Sequence, residues 1–180
     1  MRLPLLAFSL AALAALEGCS SGTPVTPDSA WTVNLSGGTD CQIFNSTRSV
    51  GEVTVSTVQE RVDDGANGAS VICSVTGTGP FVVNAIATLG PDTLNIVIPS
   101  LTAGATAAAP AIGSVSYESD ATVANYASNN CDFYFANGQE GVDPGQVWVA
   151  FTCAALSNGG TASSCPVTES VALFENCTTM

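Results

Sequence analysis

The sequence predicts an all-β chain, a single disulfide-stapled domain built as an antiparallel β-sandwich or a partly open β-barrel. Three observations carry this. Apolar residues alternate with polar ones in short runs bounded by Gly, Pro, Asn and Asp, the period of a strand with one buried face. No 11-residue window holds a 3.6-residue apolar period between capping residues. The 180 residues also hold seven cysteines, which suit a small stapled domain outside the cytoplasm.

The first segment lies before that domain. Residues 3–16 (LPLLAFSLAALAAL) form an apolar run behind a single positive residue, Arg2. The run is short for a bilayer span, which needs about 20 residues, and it fits the core of a secretory signal. It ends in Leu16-Glu17-Gly18-Cys19, which resembles the lipobox of bacterial lipoproteins. Leu16, Gly18 and Cys19 match, and Glu17 departs, since a small or hydroxylic residue is usual there. The resemblance implies that residues 1–18 are a signal peptide and that Cys19 carries a diacylglycerol and palmitate-type acyl chains. The membrane is then a partner through that lipid. Ser20 stands where an Asp would favour the inner membrane, which implies outer-membrane delivery. The alternative is ordinary cleavage near Ala12-Leu13-Ala14, giving a secreted protein. Residues 19–30, rich in Ser, Thr and Pro, read as a tether, and residues 31–180 as one all-β domain.

Within the domain, Trp31 is placed as a plug at one end of the core. Gly51–Val58 (GEVTVSTV) alternates and is read as one strand, with Val53 and Val55 on one face. Ser70–Thr76 puts Val71, Cys73 and Val75 on a single face. Strands beginning at Phe81 and Asp92 are joined across Leu89-Gly90-Pro91, and in the second Leu94, Ile96 and Ile98 share a face. Val115–Glu118 and Thr122–Ala127 are shorter candidates. The Ala-rich stretch 102–112 is interrupted by Gly104 and Pro110 and is read as a loop. Cys131–Asn137 and Gln146–Cys153 flank the turn-rich GQEGVDPG. Pairing them as a hairpin sets Cys131 opposite Cys153, Phe133 opposite Phe151 and Phe135 opposite Val149, all on the core face. Tyr134 and Trp148 then fall on the other face.

Setting Cys19 aside leaves Cys41, Cys73, Cys131, Cys153, Cys165 and Cys177, an even number with no close pair of the C-x2-C kind that metal sites use. They are read as three disulfides. A second hairpin over Leu156–Thr161 brings Cys153 opposite Cys165 as well, so two partners are offered for Cys153. The working assignment is Cys153–Cys165, Cys131–Cys177 and Cys41–Cys73. The run C-x-F-x-F, hairpin, G-x-V-W-V-x-F-x-C and a final strand ending in F-E-N-C is similar to small all-β envelope lipoproteins of bacteria, over residues 131–177. That likeness implies an envelope role and brings no catalytic residues with it.

Composition excludes more chemistry than any motif suggests. There are 15 acidic residues, three arginines, no lysine and no histidine, for a net charge of -12. Imidazole-based triads, Schiff-base lysines and phosphate-loop lysines are absent. Nucleic acid is excluded as a partner, because phosphate binding rests on Lys and Arg. No cofactor is expected.

Three groups of residues remain as sites. Asp63, Asp64 and Asn67 lie beside glycines and could offer oxygens to calcium. Against the EF-hand pattern, however, Gly65 takes a ligand position and Ser74 replaces the final Glu, so the loop is read as a solvated turn. Glu118 with Asp120, and Glu140 with Asp143, are carboxylate pairs of the kind glycoside hydrolysis uses, placed in turns where acids normally serve as solvated surface. Trp148 and Tyr134 are the ligand-binding candidates, able to stack on sugar rings or anchor a protein if their face is open, and core residues if it is covered. Of the cations beyond the signal, Arg61 is read as pairing locally with Glu60 or Asp63. The expected function is a non-enzymatic, lipid-anchored envelope protein that binds an envelope protein or a glycan. The alternatives are an extracellular carbohydrate-binding module and a carboxylate-dependent glycan hydrolase.

Overall fold

The computed structural model describes residues 25–37, 40, 41, 43, 45–122, 124–159 and 163–179. The signal segment, the lipobox-like residues and Cys19 lie outside the described residues. In chain order the strands are β1 (Asp28–Leu35), β2 (Ser46–Val50), β3 (Glu52–Val53), β4 (Val58–Glu60), β5 (Val62–Asp63), β6 (Ser70–Thr76) and β7 (Phe81–Leu89). There follow β8 (Asp92–Leu101), β9 (Ala111–Glu118), β10 (Tyr126–Tyr134), β11 (Gly141–Asp143), β12 (Gln146–Ser157) and β13 (Ser164–Glu175). The first strand thus begins three residues before Trp31.

One antiparallel sheet dominates, in the order β2-β1-β13-β12-β10-β9-β8-β7-β6, with β11 added to β12 and β5 to β1. It curls into a half-barrel, the partly open form of the expected fold. The degree of curl can be read from the core. Trp31 on β1 and Tyr117 on β9 are four strands apart, about 19 Å on a flat sheet at ~4.8 Å per strand. Their ring centroids are 6.1 Å apart, edge to face. The concave face is therefore closed by its own side chains, among them Leu94, Ile96, Ile98, Phe133, Phe151 and Phe174, all fully buried. Phe133 and Phe151 stack at 5.6 Å in the register that the hairpin pattern predicts. Gly113 fits the same packing: a Cβ there would come within 2.5 Å of the Val97 carbonyl oxygen and 2.9 Å of the Phe133 ring.

Both sheet edges are tied. The free edge of β6 is covered by the C-terminal tail, where Val75 donates to the Thr178 carbonyl at 3.0 Å and Thr178 donates to that of Cys73 at 3.0 Å. The Cys73–Cys177 disulfide locks this contact. At the other edge, Arg48 of β2 forms an ion pair with Asp120 of the β9–β10 turn.

The remaining disulfides are Cys41–Cys165 and Cys131–Cys153. All six cysteines of the domain are paired, but the working assignment is corrected. Cys131 and Cys153 do lie directly opposite each other. The β12–β13 register, however, breaks on both sides of Cys153, so Cys165 faces Leu156 instead. Register breaks of this kind leave no trace in apolar alternation.

Gly51–Val58 is a second correction. It does not form one strand: β3 and β4 make a two-stranded hairpin instead. Gly51 breaks the chain at φ +66°, where a Cβ would come within 2.6 Å of the Glu60 carbonyl oxygen. The turn is closed by Thr54, whose Oγ1 accepts from the Thr57 N–H at 3.0 Å and the Ser56 N–H at 3.2 Å. A hydroxyl that captures local N–H groups competes with a strand ladder, and here it wins. In the middle of the sheet, the strand expected from Thr122 begins only at Tyr126, because Thr122 and Ser119 bond each other in a turn. β10 ends at Tyr134, and the Phe135 N–H goes to the Ala105 carbonyl rather than to β12.

Candidate functional site: the cleft beside Trp148

Strand alternation sends Val147 and Val149 into the core and Trp148 to the convex face, opposite Leu173 of β13. Ala30, Val171 and Leu173 surround it, and Val53, Val55 and Val58 of the β3–β4 hairpin pack over them. That hairpin is a strap laid on the outside of the sheet. Three side chains hold its backbone: Trp148 Nε1 donates to the Thr54 carbonyl at 3.2 Å, Thr32 Oγ1 to that of Val53 at 3.1 Å, and Asn137 Nδ2 to that of Val55. Trp148 is half-buried as a result.

On its remaining side Trp148 lines a cleft of about 380 Å³ together with Arg61, Glu140, Asp143, Gln146 and Glu175. Glu140 is 7% exposed. Its Oε2 accepts from the backbone N–H groups of Ala136 and Asn137, while Oε1 is buried without a partner among the described residues. Burial pushes this carboxyl up to about 7, against the pull of those two N–H groups and with a smaller push from Glu169. Asp143 Oδ2 accepts from Gln146 Nε2 at 3.4 Å.

Arg61 does not pair locally as the sequence suggests. It meets Glu175 and, at 3.8 Å, Asp28, on strands far away in the chain. Asp28 is itself raised by burial and by the Glu175 charge, and Asn176 donates to it at 2.8 Å.

The structure thus brings Trp148, Glu140 and Asp143 to one place. Tyr134 is on the same convex face, opposite Ala150, but it is only 9% exposed. Burial, and then the charges of Glu169, Glu140 and Asp132, raise its phenol. An open aromatic platform of Trp148 and Tyr134 is therefore not what the fold presents. The second carboxylate pair is elsewhere, Asp120 on Arg48 and Glu118 exposed at the end of β9. Asp63 sits in β5, opposite Asp28. Asp64 Oδ1 accepts the Val71 N–H at 2.8 Å, and Asn67 takes a left-handed conformation at φ 53°, so this segment is a hydrogen-bonded turn.

No protein-family model, curated protein or solved structure matches this chain.

Sequence reasoning missed Arg61, Glu175 and the strap as parts of the site. The signal that could have found Arg61 is scarcity. Arg61 is one of only two arginines beyond Arg2 in a chain so acidic, and a cation among so many carboxylates need not pair with the nearest in sequence.

Proposed function

We propose that this chain is a lipid-anchored extracytoplasmic envelope protein of bacteria, non-enzymatic, whose disulfide-stapled domain binds a partner through the Trp148 cleft. The observation that carries the reading is the cysteine arithmetic. Six of the seven cysteines pair with one another, and the one left over is Cys19, at the end of the lipobox-like segment. Three disulfides also fit an oxidising compartment. The site itself supports binding over catalysis. One oxygen of Glu140 is committed to bracing the backbone at Ala136 and Asn137.

A carbohydrate-binding module is the second reading, favoured by an aromatic ring and carboxylates lining one cleft, the usual means of holding a sugar ring and its hydroxyls. Two substitutions test the pair of readings. Cys19→Ser is expected to move the protein from the membrane fraction to the soluble fraction. Unchanged membrane association would refute the anchor. Trp148→Ala is expected to abolish retention on any glycan the parent protein binds while the disulfides stay intact. A parent protein that ignores every neutral and acidic glycan offered would remove the second reading, and turnover of one would remove the non-enzymatic assignment.

A further inference from the structure

The convex face of β6, β7, β8 and β9 is unlike the rest of the molecule. Between Gly65 and Tyr117 the chain carries a single charged residue, Asp92, although its net charge is -12. Outward positions form rows across the strands. Ile72, Ile86, Asn95 and Ser116 stand side by side in one row, and Ser74, Asn84, Val97 and Ser114 in the next. Three of the four exposed large aliphatic residues among those described lie here, with Ile72 68% exposed, Ile112 47% and Val82 40%. A shallow groove of about 370 Å³, lined mainly by apolar surface of Ile72, Ile86 and Val97, crosses the face.

We propose that this face is a self-association surface that takes a second copy of the same chain, docked face to face. Charge selects the occupant. Two copies carrying -12 each repel wherever their carboxylates meet, and the two central rows of this face carry none, with Asp132 beside Ile112 and Glu118 beside Thr93 only at its β9 margin. The groups are also self-complementary under a two-fold axis, because Ser and Asn side chains both donate and accept and the aliphatic side chains need only one another. Face-on docking follows from the edge. The C-terminal tail occupies the outer side of β6 from Cys73 to Val75, so strand addition there is blocked. Two rows across four strands, with their margins, cover roughly 300 to 400 Å² per copy at ~4.8 Å per strand and ~6.6 Å per pair of residues. That is below the ~800 Å² per partner of a stable complex. The dimer is accordingly a weak, reversible one.

The test is sedimentation of the disulfide-intact protein from about 0.05 to 1 mM, at about 0.1 and 1 M NaCl. A monomer–dimer equilibrium is expected, tighter at high salt because repulsion between the acidic surfaces is screened. Ile72→Glu should weaken it at least about tenfold, since it buries like charges against each other. Should that variant misfold by circular dichroism, Val82→Glu on the neighbouring strand serves the same purpose. A protein that stays monomeric at 1 mM in 1 M salt would overturn the proposal. So would a dimer indifferent to both glutamates, or a monomer whose face instead retains vesicles of zwitterionic lipid.

Discussion

The two halves of the half-barrel are built on different terms. The β6–β9 half is a meander of consecutive hairpins, and β6 and β7 pair over seven successive residues without a break. It holds one charged residue before Glu118 and, among the described residues, carries no second layer like the strap. The β1–β13–β12 half joins strands more than 130 residues apart, breaks register three times and carries the strap. It also holds both arginines of the domain and most of the shifted carboxyls. The first half follows from local pattern. The second is assembled by long-range contacts, and it is there that covalent and ionic ties collect.

The strongest way to break this comparison is through the disulfides. Removing Cys41–Cys165, which closes 124 residues, should cost about 4 to 5 kcal/mol in urea unfolding on a chain-entropy account, and Cys131–Cys153, which closes 22, about 3. Equal losses would mean that the long-range tie does no more than the local one.

Next in size is a pH effect. Glu140 binds its proton up to about pH 7 when folded and only to the usual glutamate range when unfolded. The folded state therefore holds the extra proton between about 4.5 and 7, and stability falls as pH rises through that window, by the order of 3 kcal/mol before solvent relaxation reduces it. Asp28 and Asp92, also raised by burial, add in the same direction. Glu140→Gln, which keeps a carbonyl acceptor for the Ala136 and Asn137 N–H groups, should flatten most of the dependence. A urea midpoint that rises between pH 5 and 8 in the parent protein would contradict the buried carboxyl.

Trp148→Ala comes third, at about 2 kcal/mol for a half-buried ring. Hydrogen exchange should show the loss concentrated in residues 52–60, because the strap loses both its packing and the bond to the Thr54 carbonyl. Smallest is Ile72→Ser on the convex face of the meander, expected within about 0.5 kcal/mol of the parent, as is usual for an exposed position.

The same contrast explains what could be read in advance. The fold class, the strands from Ser70 to Leu101 with their buried faces, and the register of Cys131 with Cys153 all follow from alternation and turn residues. What failed depends on information that alternation lacks. The strap hides because Thr54 captures backbone N–H groups that a strand would have used. The cysteine partners hide because register breaks move Cys165 opposite Leu156. In the site, Trp148 and Glu140 were legible as unusual residues, and their meeting was not. It depends on β11 folding back on β12, which sets Gly141, next to Glu140, opposite Trp148, while Arg61 of the same cleft pairs with strands 33 and 114 residues away. The covering of Tyr134 was the less interesting of its two sequence readings and is the one the fold takes.

The most direct test of the account is the intact mass of the mature protein extracted from membranes, before and after reduction. The account predicts a chain that begins at Cys19, carries lipid, and gains six hydrogens from three disulfides. A lipid-free chain beginning upstream of Cys19 would contradict it.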